Sequence, residues 1–125
     1  MDDIQFTPRE LDVMSILWRL GSATVADVKE QLEEPLAYTS VLSALQTLEE
    51  KGFVQHEAEG RAYRYRPTVA AEVAGGSAIA RIREAIFAGS ASRLFAQLVR
   101  DEQLPRAELE RMRRLLDQRL QEGDA

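Results

Sequence analysis

The 125-residue sequence contains no cysteine, which excludes a disulfide framework, a thiolate metal site and a cysteine nucleophile together. A single histidine, His56, leaves little for zinc chemistry. No apolar run approaches the roughly 18 residues that a membrane span needs. The start Met1-Asp2-Asp3 has neither a basic nor an apolar leader region, so a soluble cytoplasmic protein without direct membrane insertion is expected. Gly-rich phosphate loops, HExxH runs and nucleophile motifs are missing as well. The adjacent pairs Glu33-Glu34 and Glu49-Glu50 splay by about 100° on a helix and read as solvated charge rather than as catalytic carboxylates. No enzymatic activity, cofactor or metal is expected.

What is present suits a small folded chain. Apolar residues make up 45% and charged residues 30%, enough hydrophobic side chains for one small domain or two very small ones. The net charge of −5 is unevenly spread: residues 1–67 hold 7 Arg and Lys against 12 Asp and Glu, whereas residues 68–125 hold 9 of each. Contact with nucleic acid must therefore use a local patch.

Local signals divide the chain into helices and one hairpin. Thr7-Pro8-Arg9-Glu10 combines a capping threonine, a proline at the first helical position and a glutamate three residues on, so a helix starts here and runs to about Leu20 before Gly21. Its expected inner face is Leu11, Met14, Leu17 and Trp18, with Trp18 read as core. Thr24 caps a second helix over 25–33, closed by Pro35. A third helix over 38–51 turns Tyr38, Val41, Leu42, Leu45 and Leu48 inward and ends at Gly52. The period then becomes two: strands over 53–57 and 61–66 flank Ala58-Glu59-Gly60, and Pro67 stops the second strand. Three helices followed by a small hairpin is the order of a winged helix-turn-helix.

The remainder reads as helices only. Residues 69–87 repeat Val69, Val73, Ile79, Ile82 and Ile86, interrupted by Gly75-Gly76, each glycine costing about 1 kcal/mol relative to alanine. Gly89 and Ser90 mark a stop and a restart, followed by a helix over 91–101 with Leu94, Phe95 and Leu98 on one side. A last helix from Pro105 to Glu122 aligns Leu109, Met112, Leu116 and Leu120 in a narrow strip. Such a strip is buried either against another copy of the chain or in an intramolecular three-helix cap, and a small helical unit with so little core favours the copy. The fold class is thus mainly α with a small β-hairpin: a winged helix-turn-helix over 1–67 and a helical dimerisation region over 68–125.

The third helix supplies the chemistry. With Val41, Leu45 and Leu48 inward, its outward face carries Thr39, Ser40, Ser43, Gln46, Thr47 and Glu50. Hydroxyls can bond base edges or phosphates, glutamine can pair with adenine and a threonine methyl can touch thymine. Thr39, Ser40 and Ser43 are the expected base readers; an ordinary solvated polar face is the alternative. In the hairpin, Arg64 and Arg66 share one side opposite Tyr63 and Tyr65, and Arg61 stands beside Gly60 at the tip. These arginines either meet phosphate or neutralise Glu57 and Glu59 across the hairpin. Lys51 is assigned to the helix dipole and His56 to the surface.

The run Leu36 to Val54 (LAYTSVLSALQTLEEKGFV), followed by Gly60-Arg61-Ala62-Tyr63-Arg64-Tyr65-Arg66-Pro67, resembles the penicillinase-repressor family, the BlaI/MecI/CopY transcriptional regulators. The opening Thr7 to Met14 with Leu17-Trp18 does so too, and the likeness continues through Gly89-Ser90, Leu98, Leu104 and Glu108-Leu109. Family members often carry an Arg-Arg pair where this chain has Gln46 and Thr47. The resemblance implies a homodimeric repressor that binds palindromic DNA operators upstream of resistance or stress genes. It also implies release by cleavage of the C-terminal part, linked to a membrane metalloprotease sensor system, with the matching cleavage region near Gln97-Leu98. The cysteine-rich metal sensing of the copper branch has no counterpart here. The competing reading is a winged-helix protein-interaction module that does not bind DNA, favoured by the acidic first half and opposed by the arginines of the wing.

Overall fold

A computed structural model describes residues 4–123; the acidic start at residues 1–3 lies outside them. The order is α1 (Pro8–Leu20), β1 (Ala23–Thr24), α2 (Val25–Gln31), α3 (Tyr38–Glu50), β2 (Val54–Glu59), β3 (Ala62–Pro67), α4 (Ala71–Phe87), α5 (Ala91–Val99) and α6 (Arg106–Glu122). Two compact units divide between Ala80 and Arg81, within α4 and later in the chain than position 67.

Element starts follow the local chemistry. Thr7 Oγ1 accepts from Glu10 N–H while the Glu10 carboxylate accepts from Thr7 N–H, a complete capping box, and Thr24 and Asp27 repeat it at α2. Gly21 ends α1 at φ 86°, which a side chain would resist. Ser90 caps α5 through Arg93 N–H. Helix α4 continues through Gly75 and Gly76.

The hairpin is tighter than the alternation suggests. Glu59 and Ala62 close the ladder, leaving Gly60-Arg61 as a two-residue turn with positive φ only at Gly60, the arrangement of a type II′ turn. Pro67 extends β3, opposite Val54, rather than stopping it. The sheet is antiparallel in the order β1-β3-β2, because the two-residue β1 pairs Ala23 with Tyr65 and Thr24 with Arg64. No periodicity announces a strand of two residues.

The core of the first unit lies between α1, α2, α3 and the sheet: Met14, Leu17, Val28, Val41, Leu45, Leu48 and Tyr65 are all but sealed from solvent. Two expected core positions are not in it. Leu11 and Tyr38 are half exposed, while Val13, Ile16 and Ala44 take the inward places. In the first turn of α1 the buried place is taken by Glu10, and Leu11, one helical step of about 100° away, is turned off the buried stripe; Tyr38 is the first residue of α3. Trp18 packs on the edge of this core against Phe6, and its Nε1–H donates to the Val69 carbonyl at 2.8 Å. Ile4 N–H donates to Ser77 Oγ, so the first part of α4 belongs to this unit.

The second unit has no comparable interior. None of the described side chains of α5 or α6 is buried, and Leu98, Leu116 and Leu120 stand 53%, 46% and 63% exposed. Exposed apolar side chains in such number are unusual for a surface meant only for water.

Candidate nucleic-acid interface

Helix α3 is positioned by its buried stripe, which presses Val41, Ala44, Leu45 and Leu48 into the core and turns the opposite side outward. On that side Thr39, Ser43 and Gln46 are exposed, and Ser40 and Thr47 are half-buried. Thr39, Ser40, Ser43 and Thr47 form one wall of an open groove of about 310 Å³ whose other wall is the start of α1, with Thr7, Arg9 and Glu10. Gln46 is not part of this groove. Arg9 is the contribution that sequence reasoning missed: its position in α1 was legible, but its approach to α3 depends on how the two helices pack.

Glu10 on the same groove is a buried carboxylate, 5% exposed, and Lys51 Nζ donates to both of its oxygens at 2.8 and 3.0 Å. Burial pushes its pKa up, but hydrogen bonds from Lys51 and Thr7, with the Lys51 charge, outweigh burial and hold it below the ordinary glutamate value. Lys51 therefore ties the end of α3 to the start of α1 rather than merely facing the helix dipole.

The wing is charged on one face and aromatic on the other. Arg64 and Arg66 share a side, as the alternation requires, but neither guanidinium is free. Arg64 donates to both Glu59 oxygens at 2.9 Å and to Ser22 Oγ at 3.3 Å, and lies 3.9 Å from Asp27. Arg66 pairs with Glu57. Each arginine reaches the diagonal rather than the directly opposite residue of β2, a normal spacing for long side chains. The bond from Arg64 holds the Glu59 carboxyl below its usual pKa. Arg61 stands at the exposed tip and has no partner among the described residues. On the other face Tyr65 is buried while Tyr63 is half exposed, so only one of the two expected inward rings enters the core. His56 lies against both rings, and its Nδ1 is 2.7 Å from the Glu49 carboxylate, so Glu49 is paired rather than simply solvated.

In the second unit Phe95 and Val99 of α5 face Leu109, Met112 and Leu116 of α6 across an open apolar groove of about 410 Å³. Leu94 is half-buried, Leu120 lies outside the groove, and Gln97 and Leu98 are exposed on α5. Among the described residues no helix is long and apolar enough to cross a membrane.

The model of the penicillinase repressor family matches residues 6–118. The chain belongs to this family. The match runs from the segment before α1 to within α6, so it takes in the groove, the wing and the apolar strip of α6 up to Leu116. Among solved structures, the DNA-binding domain of the repressor BlaI is similar over 56% of this chain and 88% of its own, at 26% identity and a TM-score of 0.51. A MarR family protein from Bacillus stearothermophilus shares the fold over 98% of this chain and 78% of its own, with 18% identity and a TM-score of 0.56. A MarR mutant from E. coli, solved with operator DNA, shares it over 91% and 75%, with 16% identity and a TM-score of 0.54. No curated protein sequence matches the chain. A winged helix with a mostly helical remainder is thus the architecture of this family member.

Proposed function

We propose that this DNA-binding repressor of the penicillinase-repressor family acts as a homodimer on a palindromic operator, reading bases with the front of α3. The carrying observation is the outward side of α3: four uncharged polar side chains line one open groove together with the start of α1, while the opposite side of the helix is buried in the core. Thr39, Ser40 and Ser43 contact base edges in the major groove, with Gln46 and Thr47 behind them. Arg61 at the wing tip meets phosphate directly. Arg64 and Arg66 exchange Glu59 and Glu57 for phosphate oxygens, an exchange of low cost because exposed ion pairs contribute little stability.

Dimerisation is supported by the uncovered apolar side chains of α5 and α6: Leu94, Phe95, Leu98, Leu109, Met112, Leu116 and Leu120 would be hidden by a second copy. Release is assigned to proteolysis at Gln97-Leu98, through a membrane metalloprotease sensor system of the kind the family uses. A cut there splits α5, lowers the coupling between the two DNA-binding halves and reduces affinity without touching a DNA contact.

A mobility-shift titration with the protein's own upstream promoter, at low and moderate salt, tests the reading. The expected result is a salt-sensitive shift by two protomers on half-sites one or two helical turns apart. Absence of any shift at low salt would refute it. Following the chain by immunoblot in its host under a cell-wall antibiotic tests release: a shortened product accompanies derepression, and an intact chain throughout would remove proteolysis while leaving repression in place.

A further inference from the structure

Within residues 1–67, acidic side chains occupy most of the cations near the proposed DNA surface. Lys51 is held by Glu10, Arg64 by Glu59 and Arg66 by Glu57. Arg9 is different: it has no partner among the described residues, it is exposed, and it stands on the wall of the groove that Thr39, Ser40 and Ser43 face. Among the described residues the one carboxylate lining that groove, Glu10, is already neutralised by Lys51. Among the described residues the groove therefore joins an unengaged guanidinium to several hydroxyls with no unpaired negative charge, the donor set that suits a phosphodiester oxygen.

We propose that Arg9 is a DNA-backbone contact of this repressor, clamping a phosphate at the mouth of the α1–α3 groove while the hydroxyls of α3 face the adjoining bases. This rests on the reading of α3 as the DNA-reading helix. Physically, Arg9 fixes the depth and register of α3 without carrying sequence information, because a phosphate is the same at every base pair. It places a positive charge beside a recognition helix that has Gln46 and Thr47 where charge could have stood.

The test is fluorescence anisotropy of the full chain on two labelled duplexes, its own upstream promoter and a random sequence of equal length, over a salt series. Arg9→Ala should weaken binding to both duplexes by about tenfold at low salt and make the log affinity against log salt slope shallower by about 0.9, the release belonging to one phosphate contact. Arg9→Lys should keep the slope and lose only part of the affinity, since charge remains but the planar fork does not. Lys29→Ala removes another exposed, unpaired cation of the same unit that does not line the groove, and it should leave the slope unchanged. An unchanged slope in Arg9→Ala, or equal losses in Arg9→Ala and Lys29→Ala, would overturn the assignment while the wild-type chain still bound DNA. Failure of the wild-type chain to bind either duplex would overturn the reading of α3 and the role of Arg9 together.

Discussion

Glu10 caps its own helix through Thr7 and anchors another helix through Lys51. Removing the lysine leaves a buried carboxylate without its cation, so Lys51→Ala should lower stability by about 1–2 kcal/mol, a cost moderated by solvent on the exposed side of the lysine. The sign of the pH dependence follows from the lowered Glu10 pKa. The stabilisation is complete above the ordinary glutamate value of 4.5 and fades as pH falls through the depressed folded-state value. Glu10→Gln keeps a capping acceptor but no charge. Its deficit in thermal midpoint relative to wild type should therefore be constant above about pH 4.5 and shrink below it. On α3, Ser40→Ala or Ser43→Ala removes one hydroxyl from the proposed reading face. Affinity for the preferred operator should fall about fivefold with little change on random DNA, measured by competition between the two. Equal losses on both would mean that these serines position the helix without reading sequence.

At the scale of the element, the wing carries its own opposing charges. Glu57 and Glu59 lie on the face that presents Arg64 and Arg66, and each carboxylate occupies a guanidinium in the free protein. In the proposed complex they compete with DNA phosphate, so Glu57→Gln and Glu59→Gln should each tighten binding about threefold on specific and random duplexes alike, with a steeper salt dependence. Equilibrium titrations at two salt concentrations would show this. Weaker binding would instead mean that the carboxylates hold the wing in its productive shape. Arg64 has a second attachment through Ser22, which secures β3 to the segment before α2. Arg64→Ala should consequently cost some thermal stability as well as DNA affinity, whereas Arg61→Ala at the free tip should cost affinity alone.

For the whole molecule, the contrast is between a unit that closes around its own core and one that does not. The first buries Met14, Leu17, Leu45 and Leu48, while α5 and α6 bury nothing among their described residues. Leu116→Asp places a carboxylate on the apolar groove of the second unit. Sedimentation should show the proposed dimer dissociating about a hundredfold more readily, with the winged-helix unit still folded by circular dichroism. Operator affinity should drop by a similar factor, because each half then binds alone. A variant that stayed dimeric would move the interface away from α6.

Helix starts and stops were legible because their causes lie within about four residues of one another. The capping boxes at Thr7 and Thr24, the glycine after α1, the cap at Ser90 and the change of period after Gly52 are all local, and they sufficed for a winged helix followed by helices. The outward face of α3 was legible for the same reason, since a helical repeat orients a whole stripe at once. Packing between distant segments decided the rest. Lys51 meets Glu10 across 41 positions, and Arg64 meets Ser22 across 42. The strand β1 exists only because β3 lies beside it, and Leu11 is left half exposed because the packing of α1 buries Glu10 in that turn instead. Arg9 belongs to this second group. Its residue type and its helix follow from local sequence, but its place opposite Ser40 and Ser43 follows from the way α1 and α3 share a core, since periodicity describes the faces of each helix separately and leaves their mutual approach to the packing.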